Sequence, residues 1–204
     1  EKEHASCGVG FLTDKTGEQT HQLLVLAHEA LCTIPHRGGM NAEGIGDGAG
    51  VNIDLSLDFY RLILNNPALE KGKFGVGNFF FPYEKKAESI ARGLIDKTLE
   101  KYQLAMAIWR EIPVDDSAVN AASRKAQQVI HQVVFLNSGQ FGSDNAFEQQ
   151  INDALAELES VGFTQPDMDG FYPLSMSSKT QVYKGRLNSG EVVPYFKDLI
   201  HPQH

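Results

Sequence analysis

The sequence predicts a layered α/β domain, and three observations carry that prediction. Apolar runs of strand length alternate with amphipathic helical segments along the whole chain. No internal repeat or low-complexity linker interrupts them. The composition, 42% hydrophobic and 22% charged, is that of an ordinary globular protein. A chain of 204 residues suffices for one domain, or two small ones, with a sizeable core.

The elements follow in order. Residues 7–14 read as a short apolar strand, with Cys7 at its mouth and Gly8-Val9-Gly10 directly after. Thr20 is placed to cap a helix whose apolar stripe is Leu23, Ala27, Ala30, Leu31 and Ile34, and Pro35 helps to stop it. Five glycines make 36–48 a loop, and 49–54 read as a second strand. Ser56 can cap a short helix reaching Asn65. "FGVGNFFF" (74–81) is strand-like and ends at Pro82; a helix bearing Ile90, Ala91, Leu94, Ile95, Leu99 and Tyr102 on one side comes next. "LAMAIWREI" (104–112) and "QQVIHQVVFL" (127–136) are partly β-branched strands. Asn145 with Glu148 has capping-box spacing before a helix carrying Phe147, Ile151, Ala154, Leu155, Leu158 and Val161, closed by Gly162. "FYPLSMSSKTQVYKGRL" (171–187) reads as two strands joined by a polar Ser-Ser-Lys-Thr turn.

Charge and composition exclude several classes. Eighteen basic against 26 acidic residues leave a net charge of −8, which disfavours a general nucleic-acid or anionic-membrane surface. Two cysteines, Cys7 and Cys32, form no disulfide framework and no Cys-x-x-Cys site, so a reducing, cytoplasmic setting is expected. His21, His28 and His131 are scattered singletons, so no metal site is expected. No apolar run approaches the ~20 residues that span a bilayer, and no signal-peptide pattern opens the chain. The first residue is Glu1 rather than Met, and the chain is expected to be a piece of a longer product.

Three stretches could carry chemistry. A lone cysteine in a strand is ordinarily a small packed hydrophobe, but the glycines flanking Cys7 allow a substrate or backbone to approach. "HRGG" (36–39) is either a solvated helix end or a guanidinium on a flexible backbone beside a site. "GIGDGAG" (44–50) lacks the Gly-Lys-Ser/Thr ending of a phosphate loop and leads into a strand, so it reads as a tight turn containing Asp47.

Taken together, "CGVGFL", "HEAL…HRGG", "GDGAG", "FFFP", "WREIPVD" and "FYPLSMSSKTQVYKGRL", in that order, resemble the N-terminal part of the glutamine amidotransferase domain of glutamate synthase large subunits, over nearly the whole chain. The resemblance implies the α+β class: a class II, N-terminal-nucleophile hydrolase fold, a four-layer αββα sandwich with two antiparallel sheets between helical layers, here incomplete. It implies that Cys7 is the nucleophile, exposed as a new first residue when residues 1–6 are removed as a leader, with residues 7–204 the N-terminal part of the domain. It implies L-glutamine as substrate, ammonia passed through a tunnel to the remaining domains of the subunit, and FMN and an iron–sulfur cluster in those domains, with no cofactor in this chain. Arg37 matches the arginine that positions the cysteine terminus, and Gly8 a backbone that must stay slim. Cys32 is expected in the core. The chemistry explains why the terminus matters. A thiol of pKa about 8.5 is mostly protonated at neutral pH, and an α-amine near about 8 can take its proton. While Ser6 remains attached, that nitrogen is an amide and no such base exists. The family's carboxylate-gripping arginine and oxyanion-hole Asn-Gly pair follow the stretch matching 171–200, so the chain alone is expected to be inactive and, with sheet edges exposed, to self-associate. The contrasting expectation is a non-catalytic binding or scaffolding module that kept the first half of the fold.

Overall fold

A computed structural model describes residues 8–34 and 38–204. In chain order the elements are α1 (His21–Thr33), β1 (Ala49–Asp54), α2 (Leu57–Ile63), β2 (Phe74–Phe80), α3 (Lys85–Lys101), β3 (Ala105–Glu111), α4 (Ala121–Ala126), β4 (Ile130–Leu136), α5 (Asp144–Thr164), β5 (Tyr172–Ser177), β6 (Thr180–Gly185) and α6 (Val192–Tyr195). They fall into two compact units. One holds the chain up to Ile53 with Pro113–Gln127 and Tyr183–His204; the other holds Asp54–Ile112 and Gln128–Val182.

The second unit is built on a four-stranded sheet of order β3-β4-β2-β5, antiparallel throughout. β2 runs in register with β4 from Phe74↔Leu136 to Phe80↔Ile130. Side chains of a strand alternate between faces, and here both faces are covered. On one, Phe79, Phe81, Val133, Phe135 and Met176 pack with Ala91, Ile95 and Leu99 of α3 and with Phe147, Ile151, Ala154 and Leu158 of α5. On the other, Phe74, Val76 and Val134 pack with Leu55, Phe59, Tyr60 and Leu69. The glycines of "FGVGNFFF" make room for rings: a Cβ on Gly75 would stand 2.4 Å from the Phe135 ring, and one on Gly77 2.7 Å from the Phe79 ring. Such burial makes the layer costly to erode, about 3–5 kcal/mol for a Phe→Ala change. The outer strands both carry register shifts, in β3 between Met106 and Ile108 and along β2–β5 at Asn78/Phe79.

In the first unit α1 follows its N-cap, Thr20, and the 3-10 turn Asp116–Ala118, α4 and α6 also belong to it; β1 pairs with β6 in a two-stranded sheet. The Asp115 amide is bonded to the Tyr195 carbonyl at 2.7 Å. Among the described residues no helix is long and apolar enough to cross a membrane.

Several expectations are corrected. Residues 8–14 form no strand: Val9 is 97% and Phe11 90% exposed, and glycine-flanked residues with no ladder partner have little to hold them extended. The chain turns instead at Asp14, whose carboxylate accepts the Thr16 amide at 2.7 Å, with Gly17 at φ +75° closing the turn. α1 forms, but its buried residue is Leu24; the expected stripe is half-buried and Ala30 is exposed. Cys32 is exposed, its sulfur 3.8 Å from His28 Nε2, because it faces the turn at Gly190 rather than the core. Ser56 caps α2 as expected, accepting the Phe59 amide. α5, however, starts two residues earlier than its capping-box spacing implies: Ser143, not Asn145, is the N-cap and accepts the Ala146 amide at 3.2 Å. Gly162 does not close that helix, which runs on to Thr164; its missing Cβ leaves space for the Phe171 ring at 3.0 Å. Ser143→Ala is therefore expected to cost about 1 kcal/mol and Asn145→Ala only a few tenths, read as shifts in the urea midpoint. Equal losses would mean that the cap is misassigned.

Candidate active site

Cys7, His36 and Arg37, and Pro35 at the expected helix stop, lie outside the described residues. The site is therefore built from the chain that carries them. Downstream of Arg37 the glycine loop folds into a small hairpin. Met40 and Gly46 bridge antiparallel, the Asp47 amide donates to the Gly39 carbonyl at 2.9 Å and the Asn41 amide to the Ile45 carbonyl at 3.0 Å. Asn41 Oδ1 accepts the amides of Glu43 and Ile45 at 3.0 and 2.9 Å. The turn lies at 41–44, with Gly44 at φ +79°, so Asp47 sits on the returning arm rather than in the turn. These amides point inward at their own loop, which is the opposite of a phosphate cradle.

Two glycines of the hairpin are needed for close approach. A Cβ on Gly46 would lie 2.3 Å from the Leu187 carbonyl oxygen, so the loop meets 187–188 backbone to backbone. A Cβ on Gly39 would collide with the Asp47 carboxylate. That carboxylate is thus folded over the residue two positions after Arg37. The Asn120 side-chain amide donates to the Gly44 carbonyl at 3.2 Å and ties the tip to the start of α4.

The "SSKT" motif is a locked turn. Glu148 of α5 accepts the Ser177 hydroxyl and the Ser178 amide, each at 2.7 Å, and the Ser177 hydroxyl oxygen accepts the Lys179 amide at 2.9 Å. The glutamate that suggested a capping box spends its oxygens here.

Across the sheet runs a buried polar row. Arg110, Gln132 and Asn78 stand opposite one another on β3, β4 and β2. Arg110 Nη1 donates to Gln132 Oε1 at 2.9 Å, and Gln132 Nε2 donates to Asn78 Oδ1 at 2.8 Å and to Gln181 Oε1 at 3.2 Å. The Tyr60 hydroxyl also donates to Gln181 Oε1, at 2.7 Å, and Asn78 Nδ2 to the Val182 carbonyl at 3.0 Å. Asn78, Gln132, Gln181 and Tyr60 are fully buried. Sequence reasoning passed over this row, although an amide in the middle of "FGVGNFFF" and of "IHQVVFL" is the signal that could have found it.

The sequence profile of the class-II glutamine amidotransferases matches residues 7–204, beginning at the cysteine itself. The chain belongs to that family. This amidotransferase chain is similar to the NADPH glutamate synthase large chain of Bacillus subtilis (31% identity over 201 residues, 98% of the chain). It is similar also to the NADH glutamate synthase of Saccharomyces cerevisiae (29% over 206 residues, 97% of the chain) and to the ferredoxin-dependent glutamate synthase of Pyropia yezoensis (30% over 210 residues, the whole chain). It spans only 10–13% of the length of those relatives. The observed fold of the amidotransferase chain, with helices on an antiparallel four-stranded sheet, agrees with the α+β class that the resemblance implies.

Proposed function

We propose that the chain carries the nucleophile-bearing part of the glutamine-hydrolysing site of a glutamate synthase, within a four-layer αββα sandwich. The observation that supports this most is that the family match begins at Cys7, the residue whose thiol the chemistry needs. In this reading residues 1–6 are a leader, and their removal frees the Cys7 α-amine. That amine accepts the thiol proton; the thiolate attacks the side-chain amide carbon of L-glutamine; the C–N bond breaks and ammonia leaves with the returned proton. Water then cleaves the thioester to give glutamate and the thiol. Arg37 positions the cysteine terminus; the glycine hairpin that follows it in the chain is pinned at Gly46 and Asn120. The ammonia is consumed in the remaining domains of the subunit, where FMN and an iron–sulfur cluster would serve the reductive step.

The test is covalent labelling of the full-length polypeptide that carries these residues by a chloroketone analogue of glutamine, followed by peptide mapping. Labelling of Cys7 that glutamine suppresses is expected. Labelling confined to the exposed Cys32, or indifferent to glutamine, would favour a binding module instead.

A further inference from the structure

The helices and the sheet of the second unit meet at a charged cluster that glutamine hydrolysis does not use. His131 of β4 is buried, 8% exposed. Its Nδ1 lies 2.9 Å from Nη2 of Arg92 on α3. A guanidinium only donates, so Nδ1 must be the unprotonated acceptor and the ring proton sits on Nε2, which faces Glu88 Oε1 at 4.0 Å. Arg92 Nε donates to the same Glu88 oxygen at 3.2 Å. The guanidinium carbon stands 4.8 Å from the Trp109 ring centre and 5.6 Å from that of Phe81, within cation–π range. Phe81 in turn packs on the His131 ring at 4.3 Å, and Trp109 Nε1 donates to Asp96 at 3.1 Å. One cation therefore satisfies an imidazole nitrogen, a carboxylate and two aromatic faces.

We propose that His131 is an acid-sensitive latch: as the neutral acceptor it fixes Arg92 over Trp109, and protonation at Nδ1 expels the guanidinium from that seat. The step turns an acceptor into a donor and sets two cations at hydrogen-bond distance. The groups facing His131 set its range. Burial and then the Arg92 charge oppose the imidazolium, while Glu88 on α3 and Glu111, the cross-strand neighbour on β3, favour it. The balance lowers the pKa, so the latch opens below the ordinary value of about 6.5. Stability follows the same sign. The unfolded chain takes the proton first, so the contribution is complete above about 6.5 and is lost as pH falls through the lower folded value.

Trp109 is the sole tryptophan of the chain, so its emission reads the latch directly. Titrated from about pH 8 to about pH 5, the protein is expected to show a reversible red shift with a midpoint below about 6.5 while its far-UV circular dichroism holds. His131→Gln, which keeps an acceptor but cannot titrate, should remove the shift. Arg92→Met should show the acid-form emission at every pH. Constant emission in the unaltered protein, or a His131→Gln variant that titrates alongside it, would overturn the proposal. So would a ring-nitrogen spectrum of the unaltered protein near neutral pH showing the proton on Nδ1, a readout that needs no variant to fold.

Discussion

Replacing Cys7 with alanine is expected to lower glutamine-dependent ammonia release from the full-length polypeptide by about 10³-fold or more, to the level that binding alone supports. The proposed nucleophile has no substitute: Cys32, the other thiol, is exposed beside His28 and belongs to a different segment. A second change should produce a similar loss by another route. If residues 1–6 stay attached, as an intact mass would reveal, the thiol is present but its neighbouring nitrogen is an amide. That nitrogen cannot accept a proton. Loss in both forms assigns the thiol and the amine to one mechanism. Full activity with the leader still in place would remove the amine from it, and full activity in Cys7→Ala would remove the nucleophile.

Gln132→Leu is expected to destabilise the second unit by about 2–4 kcal/mol, although it adds apolar surface to an apolar strand. The side chain takes a hydrogen bond from Arg110 and gives one each to Asn78 and Gln181. Removing it deprives Asn78 and Gln181 of a partner in a place where water does not reach, and takes an acceptor from the half-buried Arg110. Buried polar groups exact their full desolvation cost when a partner goes, while removing both members of a pair is far cheaper. The double variant Asn78→Leu/Gln132→Leu should therefore lose less than the sum of the single losses, measured as urea midpoints at constant slope. A neutral Gln132→Leu would mean that the row contributes nothing as a network.

Local pattern and long-range choice divide what the sequence made legible. Strands β1 to β6 lay where apolar or alternating runs placed them, because such a run suits a pleated strand whatever its partners. The order β3-β4-β2-β5 was not legible, since antiparallel partners are chosen by packing between residues far apart in sequence. Residues 8–14 misled for the same reason: β-propensity describes how a residue fits a sheet, and no sheet receives Val9 or Phe11 here. In "GSDNAFE" three residues can cap, and the choice of Ser143 over Asn145 freed Glu148 for the Ser-Ser-Lys-Thr turn. The site was legible only as a set. Cys7 and Arg37 each have an ordinary explanation, and it is their company in motif order that carries the proposed role.

The position of β5 has a consequence for how the protein is made. β2 is a central strand flanked by β4 and β5, yet its pairing partners on the β5 side lie far downstream, as in Val76↔Ser177. During synthesis β2, β3 and β4 emerge from the ribosome before any of β5, and all of α5 must be translated in between. At about 5–20 residues per second the free edge of β2 stays open for seconds. In that interval the nascent chain offers an apolar strand edge to any passing partner, and this is where a chaperone would have most to do.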